Sequence, residues 1–168
     1  MLEDEGLLLA VLNSSPVVDG VVTEQLAGAQ GEELAARFGG TGTSAELRAL
    51  RRARAAVHAA VREQDDAPQQ LSAALGDAVL VPRVTATGIN WDLRAPADQR
   101  LAARTVLAWA RVQRELPGRL RPCANDECNL FLVDHSRPGT AKWCSMATCG
   151  NRMKARAHAQ RERLGGRG

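Results

Sequence analysis

The sequence predicts a mainly α-helical protein with one small β-hairpin, an α+β fold in two parts. Apolar residues recur at helical spacing through most of residues 1–118. One pair of β-rich runs surrounds a glycine near 79–94. All four cysteines lie in residues 119–168. We therefore expect a helical N-terminal domain at 1–118 and a cysteine-containing C-terminal module at 119–168.

The charge distribution supports this division. The formal net charge is +3, but residues 119–168 hold ten lysines and arginines against four acidic residues. Residues 1–118 hold twelve against fifteen. Such asymmetry indicates two units with different partners. The abundance of alanine and arginine is typical of a GC-rich bacterial genome.

The chain is expected to be cytoplasmic and without a membrane segment. The apolar run LLLAVL follows Glu3, Asp4 and Glu5, where a secretory signal peptide would be positively charged. No stretch approaches the roughly 18 apolar residues that a membrane helix requires.

Two helices are predicted in the first third of the chain. Thr23 is a candidate N-cap for the segment EQLAGAQGEELAARF, which would end at Gly39 and Gly40. Thr43 and Glu46 form a capping-box signature, which predicts a long helix through about Arg62. The segment QQLSAAL then predicts a short helix, and His58 is expected to be solvated on the arginine-rich stretch of the long helix.

The next elements are a hairpin and a helix. The runs AVLVPRVTATG and INWDLR predict two strands around a glycine turn, with Pro82 on an edge or bulge. Pro96 fits the first turn of a helix from Ala97 to about Leu116, which ends before the pair 117–118. A ligand pocket between this helix and the hairpin, lined by Trp91 and Trp109, is one interpretation. The simpler one places both tryptophans in the core.

The four cysteines form two close pairs, Cys123-x4-Cys128 and Cys144-x4-Cys149. Two pairs on either side of a mid-length spacer suit a tetrahedral zinc site, and four thiolates leave no open position on the metal. Disulfides would require an oxidising compartment, and a redox pair would require Cys-x-x-Cys. We therefore expect one structural Zn²⁺, with iron as the alternative metal for four thiolates.

The sequence around the cysteines predicts a treble-clef-like zinc finger. The segments NLFLVDH and AKWC are β-prone and flank the turn SRPGT, which together predict a hairpin. Ser145 stands where an N-cap belongs, which places Cys149 at the end of the first helical turn.

The segment CANDECNLFLVDHSRPGTAKWCSMATCGNRMKAR resembles the CGNR zinc finger, named after the residues that here are 149–152. Besides the cysteines, the matching residues are Phe131, Asp134, Ser136, Arg137, Trp143, Gly150, Asn151, Arg152 and Lys154. The resemblance implies a scaffold role for Phe131, Asp134, Ser136, Trp143, Gly150 and Asn151. It also implies a helical ABATE domain before the finger and a role among stress-induced transcriptional regulators. Two residues depart from the pattern: Ser14 replaces a threonine, and Asn129 replaces a glycine.

The helix after Cys149 is cationic and suggests contact with double-stranded DNA. The candidate contacts are Arg152, Lys154, Arg156 and Arg161 on the helix, with Arg137 and Lys142 on the hairpin. The alternative is a solvated helix face, with Asn151 and Arg152 tying the finger together. Single-stranded RNA is disfavoured, because such modules stack bases on several exposed aromatic rings.

We find no catalytic constellation in the sequence and expect no enzymatic activity. The rival to a DNA-binding regulator is a protein-interaction or ligand-sensing protein whose finger is a structural or docking module. A homodimer is a further expectation, since one finger contacts few base pairs. A small-molecule ligand of the N-terminal domain is another.

Overall fold

The computed structural model describes residues 4–165, so the ends of the two predicted domains, 1–3 and 166–168, lie outside the described residues. The elements in chain order are α1 Glu5–Leu12, β1 Val17–Val18, β2 Val21–Val22, α2 Gly28–Arg37, α3 Ser44–Val61, α4 Ala67–Leu75, β3 Val79–Thr85, β4 Gly88–Arg94, α5 Ala97–Glu115, β5 Leu120–Pro122, β6 Phe131–Val133, a π-helical turn Met146–Gly150, and α6 Asn151–Gly165. The predicted mainly α class with small antiparallel strand pairs is confirmed. Within residues 4–165, no helix has the length and apolar content needed to cross a bilayer.

Helix α3 begins where its capping residues predict. The Thr43 hydroxyl accepts the backbone N–H of Glu46 at 3.1 Å. The buried Glu46 carboxylate does not return to Thr43. It accepts the N–H groups of Thr41 and Gly42 at 2.7 and 2.8 Å instead. The carboxylate therefore fixes the loop that enters the helix, while the hydroxyl caps the helix itself.

The predicted start of α2 after Thr23 is wrong. The helix begins at Gly28, and the backbone N–H and hydroxyl of Thr23 donate to the Pro16 carbonyl at 2.9 and 3.1 Å. These bonds close the β1–β2 hairpin, whose turn is formed by Asp19 and Gly20 with φ of 50° and 80°. Positive φ at both central residues is what a tight two-residue hairpin requires, so the turn residues determine the structure here.

The core lies between α1, α3, α4 and α5. Leu7, Leu50 and Leu101 form one end of it, and alanines of α3 pack against α4 and α5 in the middle. At the other end, Leu120 of β5 and Phe131 of β6 belong to the same apolar cluster as residues of α1, α3 and α5. The strand pair β5–β6 is therefore part of the helical core.

The predicted hairpin at 79–94 is present. Strands β3 and β4 pair in antiparallel register from Val79 opposite Arg94 to Thr85 opposite Gly88. The hairpin is a sheet of two strands, which gives Pro82 the edge position expected for a residue without an N–H donor. Trp91 is 61% exposed on β4, so its predicted place in the core is wrong. Trp109 on α5 packs against the core as expected.

Candidate metal centre and the helix that follows it

The four cysteine sulfur atoms converge on one point. All four Sγ atoms lie within 4.8 Å of one another, and none is in a disulfide. The Sγ atoms of Cys128 and Cys144 are 3.7 Å apart, as are those of Cys144 and Cys149. A tetrahedron with Zn–S bonds of about 2.3 Å has S···S edges of about 3.8 Å. The spacing of the sulfur atoms therefore fits one tetrahedral zinc ion.

The first pair of cysteines sits on the loop that joins β5 to β6. Pro122 pairs with Phe131, and the N–H of Cys123 donates to the Leu130 carbonyl at 2.8 Å, which continues the strand pairing into the loop. The N–H of Cys128 donates to the Asn125 carbonyl at 2.8 Å and tightens the turn between the two cysteines. The hairpin thus presents Cys123 and Cys128 at its tip.

The second pair is carried by the chain that returns to this tip. The N–H of Ala124 donates to the Lys142 carbonyl at 2.8 Å, and the N–H of Cys144 points to the Cys123 sulfur at 3.4 Å. Cys149 lies in the π-helical turn that opens α6, as its predicted place in the first turn requires. Ser145 occupies the cap position, but its side chain makes no capping hydrogen bond.

The predicted hairpin of NLFLVDH with AKWC is wrong. Strand β6 pairs with β5, which precedes the first cysteine, and residues 141–144 have no strand conformation. The backbone groups of 142–144 that face the tip are taken by Ala124 and by a cysteine sulfur. Residues 142–144 therefore contact the tip that carries Cys123 instead of forming a strand with β6.

The thiol pKa values show what a cation would contribute. Burial raises the pKa of Cys128 and of Cys144, and contact with neighbouring thiols raises that of Cys144 further. Burial also opposes ionisation of Cys149, but hydrogen bonds from Asn125 and the other thiols lower its pKa overall. Four adjacent thiolates repel one another, so a divalent cation is needed to hold all four ionised. The donor set fits one structural Zn²⁺ held by the four cysteines.

Residues 119–162 match the sequence model of the CGNR zinc finger. The match begins just before β5, includes all four cysteines and ends within α6. The comparison with curated proteins found no match for this chain. The four-cysteine metal site is thus that of a CGNR zinc finger.

Asn125 is a functional residue of the finger that the sequence interpretation missed. Its side chain is buried, and its Nδ2 group donates to the Cys149 sulfur at 3.4 Å. Its Oδ1 atom accepts the N–H of Glu127 at 3.3 Å. The side chain therefore links the two cysteine pairs. The sequence feature that indicates this role is an amide side chain between two predicted metal ligands, where it can donate a hydrogen bond to a ligand sulfur.

Asp134 organises the turn between the two cysteine pairs. Its buried carboxylate accepts the N–H groups of Ser136 and Ala141 at 2.8 and 3.0 Å and pairs with Arg121. The Ser136 hydroxyl, these N–H groups and the Arg121 guanidinium lower the pKa of Asp134 to about 2. Asp134 and Ser136 thus hold the turn at 134–141 together through these contacts.

Gly150 and Trp143 pack together beside the metal ligands. A Cβ atom on Gly150 would lie 2.8 Å from the Met146 sulfur and 3.2 Å from Trp143 Cδ1. Trp143 is half-buried. A side chain at position 150 would therefore require the Met146 side chain to move and Trp143 to shift slightly.

Phe131 lies in the helical core, in the cluster formed with residues of α1, α3 and α5. It is 1% exposed and stacks on His58 with ring centroids 4.5 Å apart. Burial lowers the pKa of His58 to about 4, although its Nε2 lies 3.2 Å from the Leu12 carbonyl. The predicted solvated position of His58 is therefore wrong, because the ring forms part of the junction between the finger and α3.

Two asparagines complete this junction from opposite sides. Asn13 accepts the N–H of Phe131 at 2.7 Å and donates to its carbonyl at 3.1 Å, so it acts as a strand partner for β6. Asn129 accepts the N–H of Val17 at 3.1 Å and donates to the Ser15 carbonyl. Asn129 is one of the departures from the family pattern, and its amide here joins the CGNR finger to the loop after α1.

The predicted cationic residues lie on two segments. Arg152, Lys154, Arg156 and Arg161 are exposed on α6, and Arg137 and Lys142 are exposed on the chain between β6 and Cys144. Arg156 forms an ion pair with Glu127 at 2.7 Å. The other five side chains have no hydrogen bond or ion pair to any described residue. The suggested tie from Arg152 to the finger is thus not among the contacts of residues 4–165. The side-chain amide of Asn151 donates to the Ala147 carbonyl at 3.4 Å.

Proposed function

We propose that the protein is a cytoplasmic, non-catalytic bacterial transcription regulator that binds double-stranded DNA through α6. In this proposal residues 1–118 form an ABATE-like domain that senses a signal or mediates dimerisation. The observation that supports this proposal is the anchoring and exposure of helix α6. This helix is anchored by a metal ligand at its first turn, and its cationic side chains are exposed.

The composition of α6 suits a DNA groove. Every residue from Lys154 to Arg163 is exposed, and alanines at 155, 157 and 159 keep the helix slim. The major groove is about 12 Å wide and accommodates an α-helix. Free guanidinium and ammonium groups on such a helix would bind phosphates or base edges.

The ion pair between Arg156 and Glu127 is compatible with this role. Both side chains are about half exposed. Exposed pairs of this kind contribute about 0–1 kcal/mol, so a phosphate would displace the carboxylate at little cost. Arg156 therefore remains a candidate DNA contact.

The test is selection from random duplex DNA by the zinc-loaded protein at physiological salt. The variant Lys154→Ala/Arg156→Ala/Arg161→Ala should lose the enriched motif and keep its zinc. A matched control, Arg48→Ala/Arg52→Ala/Arg100→Ala, removes three exposed arginines of the helical domain and should keep the motif. Equal enrichment by both triple variants would move the contact surface away from α6, and no enrichment by the wild type would refute sequence-specific binding.

A second candidate function is protein interaction or ligand sensing, with the finger as a structural module. It is favoured by the burial of Phe131 and Leu120 in the helical core, which gives the finger a structural task independent of DNA. In that case the wild type would enrich no motif, while loss of zinc would still destabilise the helical domain.

A further inference from the structure

The β3–β4 hairpin carries an apolar face that the rest of residues 4–165 leaves largely exposed. The register places Leu80, Pro82 and Val84 directly opposite Leu93, Trp91 and Ile89, so these six side chains share one face. We call this set the apolar stripe. Leu80, Ile89 and Trp91 are exposed, and Val84 is 81% exposed. A contiguous apolar surface of this kind on a folded protein marks an interaction site.

The apolar stripe borders an open groove of about 1150 Å³ whose other wall is α5. Six arginines line the groove, at positions 83, 94, 100, 104, 111 and 114, against the two aspartates Asp4 and Asp92. Four of these arginines lie on α5 at helical spacing and therefore share one face. Arg83 and Arg94 alternate with the stripe residues along β3 and β4, so they belong to the other face of the hairpin. The groove thus combines apolar side chains of the hairpin with an arginine-rich face of α5.

Part of this positive charge is not neutralised within the fold. Arg83 pairs with Asp92 at 3.1 Å, Arg104 pairs with Asp4, and Arg111 and Arg114 lie 4.0 and 3.5 Å from Glu115. Arg94 and Arg100 have neither a hydrogen bond nor an ion pair to any described residue. These two guanidinium groups are therefore available to carboxylates from outside.

The chemistry of the groove identifies the class of its occupant. A second copy of this chain would bring arginines against arginines. A nucleic acid would match the arginines but would leave most of the apolar stripe in water. A small molecule would remain largely exposed in so open a groove, whereas small-molecule sites usually enclose their ligands. An amphipathic helix with acidic flanks satisfies both walls at once.

We propose that this groove binds an acidic amphipathic helix of a partner protein. The apolar face of that helix would cover Trp91 and its neighbours on the stripe, and its carboxylates would pair with Arg94 and Arg100. The site lies on the helical domain and is independent of the DNA contacts proposed for α6.

The test uses the zinc-loaded full chain and a fluorescein-labelled helical peptide of about 15 residues, with leucine at helical spacing and glutamate elsewhere. Binding is followed by fluorescence anisotropy at physiological salt and is expected with a Kd on the order of 10 μM. The emission of Trp91 should shift to shorter wavelength when the peptide covers it, and the variant Trp91→Ser should lose this shift.

The variants separate the apolar contacts from the charged ones. Trp91→Ser and Arg94→Glu/Arg100→Glu should each weaken binding at least about tenfold, as expected for central contacts. The control Arg48→Glu/Arg52→Glu makes the same charge change on α3 and should leave the affinity unchanged.

Four results would overturn the proposal. The first is absence of peptide binding up to about 1 mM, and the second is equal affinity for a scrambled peptide of the same composition. The third is duplex DNA binding that depends on Arg94 and Arg100, without peptide binding. The fourth is a wild-type dimer that Trp91→Ser converts to a monomer. The third result would make the groove a nucleic-acid surface, and the fourth would assign the stripe to a second copy of the chain.

Discussion

Replacement of Phe131 by alanine tests whether the finger is an integral part of the helical core. Phe131 is 1% exposed, belongs to the cluster formed with α1, α3 and α5, and stacks on His58. Truncation of a buried phenylalanine to alanine costs about 3–5 kcal/mol. We expect the free energy of unfolding to fall by that amount, which corresponds to a Tm lower by roughly 6–20 °C for a domain of this size.

The assay is urea unfolding of the zinc-loaded protein followed by far-ultraviolet circular dichroism, with zinc content measured on the same samples. Helical signal reports α1, α3 and α5, so the loss of stability must appear there. Val84→Ala is a matched control, because Val84 is 81% exposed on β3 and should change stability by less than about 0.5 kcal/mol. The reasoning would be refuted if Phe131→Ala released zinc while the unfolding of the helical signal remained at the wild-type urea concentration.

Three further outcomes are expected. Cys144→Ser should release the zinc ion, since three thiolates hold it far less tightly than four, and one full zinc equivalent by elemental analysis would contradict the ligand assignment. Asn125→Ala should keep one zinc but lower its affinity about 10- to 100-fold in a chelator competition, because the amide donates to the Cys149 sulfur, and unchanged affinity would limit Asn125 to the turn. His58 has a folded pKa of about 4, below its ordinary value, so its protonation favours the unfolded state and stability should fall as the pH drops from about 6.5 towards 4. His58→Gln should show a shallower loss in urea titrations over the zinc-retaining part of this range, and an identical slope would exclude His58 as a source.

The sequence predicted correctly those elements that depend on interactions between residues close together in the chain. Thr43 caps α3 because its hydroxyl reaches the N–H of Glu46, three residues away. The spacing of the cysteines predicted the metal site for a similar reason, since each pair is set by a short turn. The hairpin at 79–94 followed from alternating apolar residues around a glycine. In each case the interacting groups lie close together in the sequence.

The partner of β6 after α1 and the burial of His58 depend on contacts between distant residues. Asn13 and Phe131 are 118 positions apart, and no local pattern indicates that an amide after α1 will act as a strand partner for β6. The same long-range packing buries the ring of His58. Trp91 was misassigned for the opposite reason, because an apolar alternation indicates a strand but does not reveal whether another element covers it.

The arginines of α5 form a local cationic surface that the net charge of residues 1–118 does not reveal. Residues 1–118 carry more acidic than basic residues, yet four arginines lie on the face of α5 that borders the β3–β4 hairpin. The spacing of these arginines along one helix can be seen in the sequence. The opposite wall of the groove comes from β3 and β4, and its position relative to α5 is known only from the tertiary structure.

The direction of α6 is set by an unbroken series of contacts from the helical core. Only residues 116–119 separate α5 from β5, and β5–β6 packs in the core through Leu120 and Phe131. The tip of that strand pair holds the first two cysteines, and the metal would join them to Cys149 at the start of α6. Without the metal, the start of α6 would rely on the hydrogen bond from Ala124 to Lys142, on that from Cys144 to the Cys123 sulfur and on the Asn125 amide. A zinc ion held by the four cysteines would therefore fix the orientation of the cationic helix relative to the docked strand pair.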